Sequence, residues 1–464
     1  MKTKFLVGTL VLAAACCSVA QVLPSRHVWI VTEENHSFEA ASASMPFLMS
    51  LGNQYGTATQ YYADMHNSIS ALMHLTAGQT VTADDNTSDT FNVDNIVRHL
   101  TTKGLTFRSY QEGLPHTGFL GLWSGLYVKR HNPLAYFSDV AQSSLRFNLV
   151  PLAELASDLA NHRTGNYNYV TPDLDNDAHD GSLRTADQWL SHNLPPILAQ
   201  PEFQPGGDGL LFVVFDEGNL GSDPDFRCND TTKDNSCGGR VLTVVVGPNV
   251  KRGFQSATFY NHESLLATVC QALGTDGCPG KAEKARPMKD FFLTPLSPSP
   301  AAATVSSGQP AQFTLTVQPV SGFYDAEVTF SCDQLPAGAQ CSFSPATLRP
   351  GSDGTSTTLT VSLPPRAAGL RRFLGRRTGS ELALWLALPG LALLPGAREK
   401  RKRKLILGVA GMAATLFCLG CGGGGGASAS GASTIVSGQT YTFRVTAQSP
   451  SATFSAPVRV RVTK

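Results

Sequence analysis

The spacing of hydrophobic positions changes along the chain, and it first predicts an α/β domain. Between residues 26 and 293, continuous apolar runs alternate with stretches that carry apolar residues at every third or fourth position. Continuous runs are typical of strands covered on both faces, and the second spacing is typical of amphipathic helices. The pattern predicts a mostly parallel sheet flanked by helices, with strands at 27–32, 106–110, 167–171, 210–215 and 241–247 and helices at 68–77, 94–102, 185–193 and 262–273.

Beyond residue 293 the pattern becomes all-β. Residues 293–303 are rich in proline, serine and alanine, which predicts a linker. Alternation of apolar and polar positions then predicts strands at 312–317, 326–332, 340–343, 356–361, 441–447 and 457–462. Together, residues 296–365 and 432–464 have the length of one immunoglobulin-like sandwich, roughly 100 residues. We therefore predict one β domain of that type, interrupted by the residues in between.

The interruption contains two apolar runs, 382–397 and 405–421, joined by a basic segment at 398–404. Their lengths lie at the short end of what spans a bilayer, roughly 17–25 residues. A hairpin with its basic loop in the cytoplasm satisfies the positive-inside rule. We predict a hydrophobic helical hairpin at 380–421 that crosses a membrane, and the alternative is a hairpin packed against protein.

The first 20 residues predict export. A basic start, an apolar run and a small-residue end are typical of a secretory signal peptide. This indicates a periplasmic or extracellular protein, with the hairpin as a membrane anchor. Six of the ten cysteines form closely spaced pairs that suit local disulfides better than a zinc site, because no Cys-x-x-Cys occurs among them: Cys228/Cys237, Cys270/Cys278 and Cys332/Cys341.

Charge and composition exclude two classes of protein. Lysine and arginine number 36 against 35 for aspartate and glutamate, so the formal net charge is only +1. This balance gives no electrostatic reason to expect a nucleic-acid partner. The hydrophobic content of 42% is sufficient for an ordinary core and excludes global disorder.

Acidic loops follow three predicted strands. Glu34 and Asn35 come after the first, Asp216 and Glu217 come after the fourth, and residues 172–180 carry four aspartates and His179. The carboxyl ends of parallel strands form a ligand crevice, where a divalent cation would relieve the repulsion between carboxylates. An acidic residue after a strand is also a common helix cap. The loop at 172–180 does not match an EF-hand, because it lacks the glycine and the glutamate of that pattern.

Ser68 is the candidate nucleophile because it lies at the start of the predicted helix 68–77. The free N–H groups and positive dipole end of a helix favour an alkoxide and bind a phosphoryl group. The alternative is an ordinary N-cap serine. The sequence contains no Gly-x-Ser-x-Gly elbow, which argues against an α/β-hydrolase triad.

These loops, in this order, resemble a phosphoesterase family of the alkaline-phosphatase-like superfamily that contains bacterial non-zinc phospholipases C and related acid phosphatases. The similarity covers roughly residues 26–290, within a domain expected at 24–293. The matching segments are Glu-Asn-His-Ser-Phe at 34–38, His-Asn-Ser at 66–68, Tyr-Gln-Glu-Gly-Leu-Pro at 110–115, Lys-Arg-His-Asn-Pro at 129–133, Asp-Ala-His-Asp at 177–180 and Asp-Glu at 216–217.

The resemblance implies an alkaline-phosphatase-like fold and a role for each matching residue. One divalent metal ion would be held by Glu34, Asn35, Ser68, Asp216 and Glu217. Ser68 and His179 would be catalytic, and the substrate would be bound by His131, Asp180, Asn35, His262 and His66, with a structural role for His66 as the alternative. One departure concerns Ala71, where relatives commonly carry the asparagine of Ser-Leu-Pro-Asn-Tyr, so Asn35 or Asn67 would have to compensate.

The prediction is a metal-dependent phosphoric ester hydrolase of the acid-phosphatase type that forms a phosphoseryl intermediate. Its partner would be a small phosphate ester or a phospholipid headgroup. Two alternatives stay open. One is a phosphodiesterase of the phospholipase C type, and the other is an inactive relative that acts as a surface binding module.

Overall fold

The computed structural model describes residues 21–218, 238–351, 355–364 and 435–464. Residues 28–273 contain the α/β region. Its strands are β1 (Val28–Glu33), β2 (Gly56–Ala58), β3 (Tyr61–Tyr62), β4 (Phe107–Gln111), β5 (Trp123–Ser124), β6 (Tyr127–Val128), β7 (Leu149–Pro151), β8 (Tyr167–Thr171), β9 (Leu210–Phe215), β10 (Thr243–Val246), β11 (Phe254–Ser256) and β12 (Tyr260–Asn261). Its helices are α1 (Phe38–Ser44), α2 (Pro46–Gln54), α3 (Ser68–Ala77), α4 (Ile96–Thr102), α5 (Ser138–Ala141), α6 (Leu155–Ala160), α7 (Leu183–Leu198) and α8 (His262–Leu273).

An eight-stranded sheet in the order β11-β2-β10-β9-β1-β8-β4-β7 forms the centre of this region. Its neighbouring strands are parallel except for β10, which runs antiparallel to both β9 and β2. Every residue of β1, β8 and β9 is buried, which explains why apolar and aromatic residues predominate in these strands. The predicted α/β architecture with a mostly parallel sheet is therefore confirmed, and β8 and β9 match the predicted bounds.

Helices α3 and α8 pack against each other, and both begin next to the carboxyl edge of the sheet. All ten residues of α3 are buried, so this helix is part of the core rather than an amphipathic surface helix. The side chain of Asn261 caps α8 by accepting a hydrogen bond from Ser264 N (2.9 Å). Gly274 ends α8 in the left-handed conformation that glycine adopts without strain.

Residues 296–463 contribute two further sheets. Their strands are β13 (Leu296–Ser299), β14 (Ala302–Ser306), β15 (Ala311–Val317), β16 (Val328–Asp333), β17 (Gln340–Ser344), β18 (Thr347–Leu348), β19 (Thr355–Ser362), β20 (Thr440–Gln448) and β21 (Thr453–Thr463). One sheet has the order β13-β15-β19-β17 and the other β14-β21-β20-β16-β18. Buried and exposed residues alternate along the long strands, as expected for sheets with one face in the core. An immunoglobulin-like identity goes further than this arrangement and stays a prediction.

The predicted linker at 293–303 is wrong, because most of these residues form β13 and the start of β14. Both strands lie at an edge of their sheet. An edge strand accepts a proline such as Pro298, since one of its sides needs no N–H donor for a neighbouring strand. The two regions are in contact, for example through Ser321 N, which donates to Asn249 Oδ1 (3.0 Å).

Two of the predicted disulfides are present, Cys270–Cys278 and Cys332–Cys341. The third predicted pair, Cys228/Cys237, lies outside the described residues. The same is true of the predicted signal peptide at 1–20 and of the predicted hairpin at 380–421. Among the residues that are described, no helix is both long enough and apolar enough to cross a membrane.

Candidate active site

The parallel neighbours β1 and β9 deliver two acidic side chains to the same point. Glu33 lies opposite Phe215 in the register, so Glu34 and Asp216 follow side by side at the carboxyl edge of the sheet. Both are buried. Asn35 has a φ of 54°, and its backbone N–H donates to Asp216 Oδ1 (3.0 Å). The loop after β1 is thereby fastened to the loop after β9.

Ser68 faces this acidic pair from the start of α3. Its Oγ donates to Glu34 Oε2 (2.8 Å), and the residue is 4% exposed. Asn67, just before it, has a φ of 83°, and its backbone N–H donates to Glu217 Oε2 (2.6 Å). This contact holds the unusual backbone conformation that presents the serine hydroxyl to Glu34.

Two histidines complete the cluster, and Asp177 positions both of them. His131 Nδ1 bonds to Asp177 Oδ2 (2.9 Å), and His179 N donates to Asp177 Oδ1 (2.8 Å). The two imidazole rings lie 5.4 Å apart. One ligand atom from each of Glu34, His131 and His179 falls within 4.8 Å of the others. The sequence places Asp177 in a matching segment, but nothing in its spacing reveals that it organises two histidines.

Several buried polar atoms of this cluster have no hydrogen-bond partner within the described part of the chain. They are Glu34 Oε1, Asp216 Oδ2 and His131 Nε2. His131 Nε2 and Glu34 Oε1 are 3.3 Å apart but not aligned for a hydrogen bond. Unpaired buried groups are costly, so each requires a physical reason. Carboxylate oxygens and imidazole nitrogens are suitable donors for a divalent cation, and this donor set fits such an ion.

The pKa values of the residues in this cluster are also consistent with a bound divalent cation. Burial raises the pKa of Glu34 well above its usual range, and the nearby carboxylates of Asp216 and Asp177 raise it further. Burial also raises the pKa of Asp216 well above its usual range, and the charge of Glu217 adds to this effect. Burial also raises the pKa of Asp177 to about 7 and lowers that of His131. A cation at this point would remove the repulsion that raises the carboxylate pKa values.

Glu217 and His66 contact each other beside the loop that carries Ser68, and their expected roles in binding metal and substrate stay predictions. Glu217 Oε2, expected to bind the metal, accepts from Asn67 N and lies 2.9 Å from His66 Nδ1. This oxygen therefore fixes the loop that carries Ser68. His66 is buried against Glu217, and its Nε2 has no partner among the described residues. Asp180, expected beside the phosphate, bonds to His179 Nδ1 (2.8 Å) through a half-exposed side chain.

His262 does not face a substrate, and this corrects the expected phosphate contact. Its Nε2 donates to the backbone carbonyl of Asp216 (2.6 Å), and its Nδ1 accepts from the hydroxyl of Tyr61 (3.0 Å). Both ring nitrogens are thus occupied in a residue with no exposed surface. Burial lowers the pKa of His262 to about 3, so the ring is neutral. His262 therefore holds the backbone carbonyl of Asp216 in place.

One further residue at the site was missed by the sequence analysis. The Asp85 carboxylate lies over the N-terminus of α3, where its Oδ1 accepts from Ile69 N (3.2 Å). Asp85 is one of three aspartates in the loop at 79–92. No periodicity or spacing distinguishes it from Asp84 or Asp89, so only the folded chain reveals its position.

The profile of the Phosphoesterase family matches residues 41–275, which contain Ser68, both histidines and the loop after β9. The chain belongs to the phosphoesterase family. Three relatives show the extent of the similarity. A probable acid phosphatase of Kluyveromyces lactis is 30% identical over 55% of this chain and 62% of its own length. An acid phosphatase of Aspergillus fumigatus is 30% identical over 52% of this chain and 53% of its own length.

The match to the third relative extends over a larger share of that relative's length. A phosphatidylinositol-3-phosphatase of Mycobacterium tuberculosis is 30% identical over 59% of this phosphoesterase and 85% of the relative. By contrast, the chain spans only 53–62% of the length of the fungal acid phosphatases. Among solved structures, a phosphonate monoester hydrolase from Silicibacter pomeroyi superposes with a TM-score of 0.35 and 12% identity over 63% of this chain and 80% of that one.

Proposed function

We propose that this phosphoesterase is a metal-dependent hydrolase of phosphoric esters that acts on phosphomonoesters through a serine nucleophile. The observation that carries the proposal is the hydrogen bond from Ser68 Oγ to Glu34 Oε2 (2.8 Å). It lies within a buried cluster in which several potential metal-ligand atoms have no hydrogen-bond partner among the described residues. Membership of the family and the names of the relatives support the same reaction class. An alkaline-phosphatase-like topology is part of the proposal.

The proposed cation is one divalent ion, and Glu34 is its central ligand. Asp216 offers its unpaired Oδ2, and Ser68 lies against Glu34. His131 and His179 are close enough to Glu34 to be ligands, although the resemblance assigns them to the phosphate. When bound, such an ion would favour the deprotonated form of Ser68 and neutralise charge on the phosphoryl oxygens. Asn35 contributes through the backbone contact that fixes Asp216.

The side chains supply the remaining chemistry. Glu34 orients Ser68 Oγ, which releases its proton to solvent and attacks phosphorus. The Oγ–P bond forms as the bond from phosphorus to the leaving oxygen breaks, and the leaving oxygen takes up a proton from solvent. His131 Nε2, which has no hydrogen-bond partner among the described residues, would bind a phosphoryl oxygen. His179 is held by Asp180 at Nδ1 (2.8 Å) and accepts from Arg130 at Nε2 (3.3 Å), so it would contact a phosphoryl oxygen only by exchanging the contact with Arg130. Water then releases phosphate from the phosphoserine and restores Ser68.

Ser68→Ala tests the nucleophile. We expect turnover of p-nitrophenyl phosphate to fall by at least about a thousandfold, because no other hydroxyl would replace Oγ. Ser50→Ala is the matched control, since Ser50 is an exposed helical serine whose Oγ bonds only to Phe47 O among the contacts described. Mass spectrometry of protein quenched during turnover should detect a phosphoryl group on Ser68. Undiminished activity in Ser68→Ala would overturn the mechanism.

A phosphate carried by a lipid is the second candidate substrate. The M. tuberculosis relative, matched over 85% of its length, is named for a phosphatidylinositol phosphate. Comparing phosphate release from soluble esters with release from vesicles that contain phosphatidylinositol 3-phosphate separates the two. A phospholipase C activity would instead release phosphorylcholine from phosphatidylcholine vesicles. Tight metal binding without turnover of any ester would support a binding module.

We also propose that the protein is exported. The two disulfides support this, because such bonds persist in oxidising compartments. The predicted signal peptide and membrane hairpin would complete the route, and the immunoglobulin-like sheets would lie on the same side as the site.

A further inference from the structure

The loop at 79–92 is fastened across the N-terminus of α3 by contacts on both sides of Ser68. Ser70 Oγ donates to Thr82 O (2.8 Å), and Asn67 Nδ2 donates to Ala83 O (3.0 Å). Asp85 Oδ1 accepts from Ile69 N (3.2 Å), and Asn67 Nδ2 lies 3.5 Å from Asp85 Oδ2. The backbone N–H of the residue directly after the proposed nucleophile therefore already donates to a carboxylate.

This donor is one that an incoming phosphoryl group would use. Free N–H groups and the helix dipole make the N-terminus of a helix an anion site. Here Ile69 N already donates to a carboxylate, and Ala71 has no side-chain amide. The amide of Asn67 donates to Ala83 O instead of facing an anion. A phosphoryl group that approaches Ser68 would therefore come close to the negative charge of Asp85.

Other charged and titratable groups face the same space from neighbouring elements. On the segment after β6 these are His131, Arg130 and Tyr136, and from the loop after β8 Asp180 contributes. Asp84, in the same loop, is exposed and accepts from Asn86 N, so it is not among the groups that contact the start of α3. Burial lowers the pKa of His131, and the charges of Asp85 and Asp180 act in the opposite direction, which places both carboxylates within electrostatic reach of this proposed phosphate ligand. Two cationic side chains lie on this segment: Arg130, whose charge acts on His131 and Tyr136, and Lys129, on which the charge of Asp89 acts.

We propose that Asp85 restricts the site to singly charged phosphate esters, meaning phosphodiesters and phosphomonoesters in their monoanionic form. This inference rests on the proposed function. A phosphomonoester changes from one negative charge to two as the pH rises through about 6. A fixed carboxylate nearby repels the dianion about twice as strongly as the monoanion. An acidic preference with monoesters would then originate in the substrate and not in a titrating side chain.

The test compares two esters at two pH values. The kcat/KM of metal-loaded protein is measured for p-nitrophenyl phosphate and bis(p-nitrophenyl) phosphate at pH 5 and 7.5. Effects of pH on the protein itself act on both esters, so the monoester-to-diester ratio isolates the charge of the substrate. In the wild type we expect this ratio to fall by roughly tenfold from pH 5 to 7.5. Asp85→Asn should remove most of that fall.

Asp84→Asn is the matched control, because Asp84 is exposed and bonds to Asn86 N in its own turn. It should leave the ratio as in the wild type. Asp85→Ser provides a second uncharged variant if the asparagine protein unfolds. An unchanged pH dependence of the ratio in both Asp85 variants would overturn the proposal, and so would a loss of activity that is equal for both esters.

Calorimetry with inorganic phosphate separates this inference from the proposed function. If neither ester is hydrolysed, the proposed function fails, but the effect of Asp85 on anion charge can still be measured. We expect wild-type protein to bind phosphate more weakly at pH 7.5 than at pH 5, and Asp85→Asn to reduce that difference by roughly tenfold. The same difference in both proteins would show that Asp85 does not select the charge of the anion.

Discussion

Two clusters of histidine and carboxylate groups in the α/β region have nearly the same composition but different hydrogen bonding. One consists of Glu34, His131 and His179, and the other of Asp64, His74 and Glu263. In each, one ligand atom from every member lies within 4.8 Å of the others. By distance alone, both could hold a metal ion.

The second cluster satisfies its own polar atoms. Asp64 accepts from the Asn261 side chain (2.6 Å) and from His262 N (3.0 Å). His74 bonds to Glu263 and to Thr80, both at 3.0 Å. Burial acts to raise the pKa of Glu263, but the hydrogen bond from His74 and the charges of His74 and Lys281 leave it below the usual value. A metal ion would have to break these contacts.

The first cluster instead leaves buried atoms unpaired and carboxylate pKa values raised. The comparison shows that ligand type and spacing are not sufficient to identify a metal site. What distinguishes the two clusters is whether the protein has already neutralised and paired the donor atoms.

Matched glutamate substitutions give the largest expected difference. Glu34→Gln should abolish stoichiometric metal binding and lower phosphatase activity by at least about a thousandfold, because it removes the shared contact of Ser68 and the cation. Glu263→Gln should retain the metal and keep activity within about threefold. Metal content by plasma mass spectrometry and turnover of p-nitrophenyl phosphate check both. A loss of metal in Glu263→Gln but not in Glu34→Gln would reverse the comparison.

The pH dependence of stability gives the next largest effect. In metal-free protein Asp177 has a pKa of about 7, and those of Glu34 and Asp216 are well above the usual range. The folded state thus retains protons that the unfolded state releases near pH 4, so stability is full at low pH and falls as the pH rises toward the folded pKa values. Between pH 6 and 8 Asp177 alone contributes a loss of about 1.4 kcal/mol, and Glu34 and Asp216 add to it. The lowered pKa values of His131 and His262 act in the opposite direction, so we expect a smaller net fall in stability than the carboxylates alone would give.

Above pH 6 the second cluster contributes little to this pH dependence, since burial raises the pKa of Asp64 only to about 6. Thermal unfolding in chelator measures the loss. Added divalent cation should reverse it, and Glu34→Gln should reduce it in metal-free protein. Stability that rises from pH 6 to 8 without metal would contradict the raised carboxylate pKa values.

The smallest effect on metal content is expected from the histidine of the second cluster. His74→Ala removes the hydrogen bond to a mostly buried Glu263 and should destabilise the protein by about 1–3 kcal/mol. The metal content should not change. Urea unfolding measures the loss of stability. Lys281→Ala is a milder control, because its ammonium lies 3.6 Å from Glu263 on a 70% exposed side chain and should contribute less than about 0.5 kcal/mol.

Much of the fold could be predicted because the period of hydrophobic positions is a local property. Helices α3 and α8 have the bounds expected from the sequence, and so do β8 and β9. The short strands β2, β7 and β11 were not predicted, since three residues are too few to show a period. Residues 293–303 were misassigned because composition does not show that an edge strand can contain proline.

The site was partly predictable for a different reason. Strand ends of parallel neighbours meet, so the proximity of Glu34 and Asp216 follows from topology. The partner of each ring nitrogen does not follow from it. His262 was expected to contact the phosphate, but only the packed structure shows that both of its nitrogens are occupied. Asp85 depends on how a loop crosses α3, which no local pattern encodes.

The complete burial of α3 has a consequence for engineering. Because all ten residues of this helix are enclosed, a library that randomises it would mostly yield misfolded proteins rather than new catalysts. The loop at 79–92 offers far more freedom, as most of its side chains are at least partly open to water. Directed evolution of substrate range should therefore randomise that loop and leave the serine helix untouched.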